Sequence, residues 1–262
     1  MKERLLYLLR FYLLTVVVFM IAKWVFMLCN GAGHDVSLGD MLDVLWHGLT
    51  LDLSTALYLT ILPFLLMMVS VWLSLSKWFF RIYYAAVAIA LSLAFVADTS
   101  LYPFWHFKLD ASCLQYLETP TEAMASVSAG YLLLRLVLVI AVAAGIYGGY
   151  EVFGAGANPP QSPSYRRRLC STLLYLFCIP FIVIGIRGGL GESTTNIGQV
   201  YFSQNQFLNH AAINPVFSFI DSFDKNVSYI PDYVFMEEAE RDSIVKDLFP
   251  TESVQPDTLL TT

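Results

Sequence analysis

Residues 5–28, LLYLLRFYLLTVVVFMIAKWVFML, contain only two formal charges, Arg10 and Lys23. At about 1.5 Å of rise per residue, a helix of this length reaches across the roughly 30 Å hydrocarbon core of a bilayer. A segment that crosses lipid must satisfy its backbone groups internally, so the stretch reads as a membrane-spanning helix. Four more stretches meet the same requirement: 54–75, 79–96, 131–150 and 169–186, the third being the shortest. Composition agrees, because 57% of the 262 residues are hydrophobic and 14% charged, more apolar matter than one soluble core needs.

Basic residues set the expected orientation, since short cytoplasmic loops retain Lys and Arg. With the N-terminus inside, the inner flanks carry Lys2, Arg4, Lys77, Arg81 and the run Arg166, Arg167, Arg168, whereas the two short outer loops carry only Lys108. The C-terminus is then outside. The expected architecture is an all-α membrane protein with five transmembrane helices, amphipathic helices on the outer surface and an extracytoplasmic C-terminal stalk. Residues 1–186 form the five-span domain, and 187–262 form juxtamembrane helices and a linker. The net charge of -6 gathers in that tail, at Glu237, Glu238, Glu240, Asp242 and Asp247, and argues against nucleic acid as a partner.

Local signals refine this frame. Leu38, Met41, Leu42, Leu45 and Leu49 share one face of a helix starting near Ser37, which is expected to lie flat on the outer surface. Thr119, Pro120 and Glu122 form a helix start, so the fourth helix is expected to begin near Pro120. Residues 154–164 read as a Gly/Pro/Ser-rich connector. Asn214 and Pro215 open a short helix in which Val216, Phe219, Ile220 and Phe223 share a face, and 232–249 reads as a solvated helix. The first span has a basic start, yet it is too long for a cleaved signal peptide and reads as a retained anchor. Cys29, Cys113, Cys170 and Cys178 have no metal spacing; a Cys29–Cys113 disulfide on the outer face is open to the chain.

The candidate site residues are polar groups near the outer face: Asp52, Asp98, His106, Lys108, Asp110, Arg187, Glu192 and His210. One reading makes them helix-end charges in the headgroup layer. The other gathers them into a pocket for an anionic lipid headgroup, with Arg187, Lys108 and the histidines as donors. Arg10, Lys23 and Arg135 fall within their spans and are expected to snorkel, with a lipid phosphate as the partner of interest for Arg135. Walker, HExxH, GxSxG and CxxC patterns are all absent from the sequence, so no catalytic or metal-binding residues are assigned.

The segment Gly48-Leu49-Thr50-Leu51-Asp52-Leu53-Ser54 resembles the G-x-x-F-D-L-S element of lipoteichoic-acid-synthase-like phosphoglycerol transferases, with Leu51 in place of Phe. Tyr116-Leu117 with Pro120-Thr121-Glu122-Ala123, Arg187-Gly188-Gly189, and Asn209 through Asn214-Pro215 are similar to further elements of that family, in the same order. The resemblance covers the whole chain. It implies the bacterial cytoplasmic membrane, and a phosphatase- or sulfatase-like catalytic domain after the linker, in cis or as a separate chain. That domain would carry a threonine nucleophile and a divalent metal such as manganese, neither of which maps onto these 262 residues. The expected role is to anchor such a domain and hold its phospholipid substrate at the outer leaflet. The alternatives are a free-standing scaffold that binds another membrane protein, the membrane domain of a phosphoethanolamine transferase, and, least supported, a small transporter.

Overall fold

A computed structural model describes residues 2–117, 127–153 and 164–228. Five long helices account for the five apolar stretches: α1 (Lys2–Asn30), α2 (Leu38–Val69), α3 (Lys77–Trp105), α4 (Ala129–Phe153) and α5 (Tyr165–Arg187). All five are long and apolar enough to cross a membrane. Two short helices follow, α6 (Gln206–Ala212) and α7 (Pro215–Ser228), and 3-10 turns occupy Ala111–Leu117 and Ile197–Val200. No strand occurs among the described residues. Residues up to Phe223 pack as one unit, and those from Asp224 belong to a second, of which only the end of α7 is described.

The helix starting at Ser37 forms, but it is not a separate surface helix. Ser37 caps it, its Oγ accepting from the Asp40 N–H at 3.1 Å while the Asp40 carboxylate accepts from the Ser37 N–H at 2.8 Å. The helix then runs without a break into the second span, because no proline interrupts 49–54 and the Asp52 charge that marked a boundary is neutralised inside the protein. The Leu38 to Leu49 stripe is correspondingly split: Leu45 is buried, whereas Leu38 and Leu42 are exposed. The third span also extends past its expected end, to Trp105, where His106 in the left-handed region closes it. Helix α5 ends at Gly188 (φ 87°), and the Gly189 N–H reaches back to the Ile184 carbonyl at 2.9 Å. A side chain at Gly188 would strain that turn and collide with Thr195.

Helix α1 packs along α2 and also touches α3, α4 and α6; α3 lies along α4, and α2 contacts α5 and α6. Toward the N-terminal end of α1 the core is aromatic. Phe11 stacks on Tyr150 at 4.8 Å between ring centres, Tyr7 hydrogen-bonds Tyr84, and Thr15 Oγ1 lies 3.0 Å from the Tyr150 hydroxyl. Arg81 and Glu151 form a two-pronged pair at 3.1 Å that ties α3 to α4. At the opposite end, called here the cap end, Phe26, Val44, Leu51, Tyr102, Phe207 and Ala211 close a second core beneath α6. All four cysteines are free, so Cys29 and Cys113 are not bridged. The expected start of the fourth helix near Pro120, the connector and the 232–249 helix lie outside the described residues.

Arg4 closes the N-terminal end of the bundle. Its guanidinium donates to the Met67 carbonyl at 3.0 Å and the Ser70 carbonyl at 3.1 Å, satisfying orphan acceptors at the C-terminus of α2, where the helix dipole favours a cation. Arg4→Met should therefore cost about 1.5–3 kcal/mol, the worth of a charged hydrogen bond. A thermal midpoint in detergent equal to that of the unaltered chain would contradict this role.

Candidate functional site

Four charges that the sequence places in the headgroup layer or snorkelling toward it are inside the protein. Lys23 is 2% exposed, Asp52 0%, Asp98 3% and Lys108 5%. An unpaired ion so placed would cost several kcal/mol after relaxation, so each must find an opposite charge and further hydrogen bonds. Lys23 Nζ donates to Asp52 Oδ2 and to the Gly48 carbonyl, both at 2.8 Å. Asp52 Oδ1 accepts from Asn214 Nδ2 at 2.8 Å. Asn214 Oδ1 in turn accepts from the N–H groups of Val216 at 3.0 Å and Phe217 at 3.2 Å, which makes it the N-cap of α7. One relay thus joins α1, α2 and the start of α7. It needs glycine at position 48, because a Cβ there would run into both Lys23 Nζ and the Ala212 carbonyl.

A second buried pair, Lys108 with Asp98, sits beside the first. The other oxygen of Asp98 accepts from the Leu109 N–H at 3.0 Å, and Lys108 Nζ lies 3.7 Å from the centre of the Phe26 ring. A void of about 10 Å³ touches Lys23, Asp98 and Lys108, room for no more than one water. Next to this pair, the His210 Nδ1 lies 3.0 Å from the Tyr102 hydroxyl. Burial, and then the nearby Lys108 ammonium, lower the His210 pKa from its ordinary 6.5, with Asp98 opposing. Burial likewise lowers Lys108, against the pull of Asp98.

The structure brings Asp52, Asp98, Lys108 and His210 together, but as partners of one another and of buried side chains. Lys108 is engaged by Asp98 and does not stand as a free donor toward solvent. Lys23 does not snorkel: Gly48 opens a path to Asp52, and pairing there replaces hydration. The remaining candidates lie elsewhere. His106 is the exposed C-cap of α3, and Asp110 accepts from the Ser112 N–H at 2.7 Å in a local turn. Arg187 is exposed and holds its own loop, donating to the carbonyls of Gly191 at 3.2 Å and Glu192 at 3.3 Å. The Glu192 side chain is exposed. Residues that sequence reasoning did not assign to the site are Lys23, Gly48, Tyr102 and Asn214. One signal for the first was present: Lys23 and Asp52 carry opposite charges at similar depth on consecutive helices.

Arg135 borders a different feature, a cavity of about 470 Å³ between α1, α3 and α4 with almost wholly apolar walls. Among the described residues no three His, Cys, Asp or Glu side chains converge as a metal site would require. No family model, curated protein or solved structure matches the chain.

Two outcomes follow from this geometry. Asp52→Ala strands the Lys23 ammonium and should cost about 3–5 kcal/mol, whereas Lys23→Met with Asp52→Leu removes both charges and should recover most of that loss. Equal unfolding midpoints for the single and double variants would contradict a buried pair. His210, held neutral by the fold, contributes stability that is complete above its ordinary pKa of 6.5 and is lost as pH falls through its lowered value. The thermal midpoint should therefore drop as pH is taken down past 6.5, and His210→Gln should flatten that drop. An equally steep drop in the variant would assign the effect to other groups.

Proposed function

We propose that this chain is the membrane anchor and lipid-positioning domain of a lipoteichoic-acid-synthase-like phosphoglycerol transferase. The phosphoryl chemistry resides in a catalytic domain that these 262 residues do not contain. The observation that carries the reading is the convergence of motif segments that are far apart in sequence. Gly48 and Asp52 meet Asn214 in the buried relay, Ser54 Oγ donates to the Ile186 carbonyl at 2.6 Å, and the Arg187 carbonyl accepts from the Thr195 N–H at 2.9 Å. Asn209 adds a stitch, its Oδ1 accepting from the N–H groups of Phe202 and Ser203, both at 2.9 Å. The first and last segments that carry the resemblance therefore meet in space, at the start of α7.

In this role the domain does no bond-making. It fixes the start of α7 on the bundle and keeps a lipid substrate at the outer leaflet, where positioning alone can supply several kcal/mol of a barrier. The orientation belongs to the same proposal: the Arg166–Arg168 run stays in the cytoplasm and the cap end faces the outer leaflet. Two measurements test it. A reporter fused after Thr262 should be active only outside the cytoplasm. Cells lacking the gene should lose transfer of tritiated glycerol from phospholipid into envelope material, and undiminished transfer would favour the scaffold reading.

A further inference from the structure

Helix α4 meets the middle of α1 near its own C-terminal end, where Leu14 lies against Gly149 and Thr15 against Tyr150. Toward the cap end the gap between them is open and is floored by Phe95 and Thr99 of α3. The resulting groove runs from Gly149 to Arg135, 14 residues of helix, or about 21 Å. That exceeds the ~15 Å depth of hydrocarbon in one leaflet. Val17, Ile21 and Val25 line it at 46%, 53% and 46% exposure, so its mouth opens sideways along α1. Its volume of about 470 Å³ lies within the roughly 300–1,000 Å³ typical of small-molecule sites.

One cation closes an otherwise greasy slot. Arg135 lines the groove at its cap end, with its guanidinium carbon 4.6 Å from the centre of the Tyr131 ring. Its Nε is buried and has no hydrogen-bond partner among the described residues. A guanidinium with a shielded, unused N–H suits an oxyanion that offers two oxygens side by side to two parallel hydrogen bonds, and the phosphodiester is the one bilayers supply. A soluble phosphate would gain nothing from the apolar walls, whereas a phospholipid satisfies both ends at once. We propose that the α1–α4 groove holds an acyl chain of a glycerophospholipid, with the phosphodiester of that lipid on Arg135.

The groove and the small void beside Lys23, Asp98 and Lys108 share Ala22, Phe95 and Thr99 in their walls. The headgroup end of the lipid therefore abuts the wall behind which the buried charges lie. Binding in the groove rests on the lipid-positioning role proposed above; the transfer chemistry of that role is read separately, by glycerol labelling. Lipid held in the groove with no change in labelling would retain this site and remove the transferase reading.

The test is native mass spectrometry of the full chain offered phosphatidylglycerol or headgroup-free diacylglycerol in detergent. The unaltered chain should retain one phosphatidylglycerol at least about tenfold better than diacylglycerol, and Arg135→Gln should erase that preference. A Cβ at Gly145 meets nothing within 4 Å, so Gly145→Leu should fill the groove without distorting the helix and reduce retention about tenfold. Gly148→Leu has equal room but lies off the groove, and should retain lipid like the unaltered chain. Undiminished retention in Gly145→Leu, or diacylglycerol held as well as phosphatidylglycerol, overturns the proposal.

Discussion

A lysine ammonium taken out of water between two apolar helices must be met by a carboxylate, and the arrangement of the cap end follows from how Lys23 is met. The idealised cost of moving such an ion into a dry medium is of order 20 kcal/mol, so the pair persists only if its remaining hydrogen-bond capacity is used. Lys23 spends its donors on Asp52 and the Gly48 carbonyl, and Asp52 uses its second oxygen on Asn214. Because Asn214 also caps α7, the ion pair sets where that helix starts. Substituting Gly48 would block the lysine, and losing Asn214 would leave a carboxylate oxygen without its partner. A buried pair of this kind is weak evidence for net stability. Its contribution here is positional, as it permits one seating of the cap on the bundle.

The second pair, Asp98 with Lys108, extends the same logic to α3. It draws the chain just beyond α3 back over Phe26, and the Ala111 N–H then donates to Ser222 Oγ of α7 at 2.8 Å. The cap is thus tied to the ends of three long helices through polar contacts shielded by Phe26, Tyr102 and Phe207. Away from it the bundle relaxes into a different character. Helices α4 and α5 bury little of their surface, and the gap between α1 and α4 is left as a slot. A polar cap and a laterally open apolar groove are the two features on which the proposed lipid-positioning role rests.

The five spans were legible because length and apolar content translate directly into bilayer crossing, and the Ser37 start was legible because capping is local chemistry. Asp52 misled in a specific way. Read alone, it marks a boundary between a surface helix and a span; paired with Lys23, it lies in the interior of α2. Lys23 misled for the same reason, since a lysine five residues from the end of an apolar run ordinarily reaches for the headgroups. What decided both was a contact across 29 positions of sequence that no local pattern encodes. The role of Asn214 was half visible, as a helix start beside Pro215, while its bond to Asp52 spans 162 positions and was not. Of the candidate cluster, Asp52, Asp98, Lys108 and His210 did come together, whereas His106, Asp110, Arg187 and Glu192 did not.

The most direct test of this account is hydrogen–deuterium exchange on the full chain, read at the backbone amides of 206–217. If the buried relay seats the cap, amides of α6 and the first turn of α7 should be protected to nearly the same degree as those of α1 and α2. Exchange there as fast as in the exposed loop at 188–195 would mean that the cap is not fixed to the bundle, and would contradict the central role given to Lys23, Asp52 and Asn214.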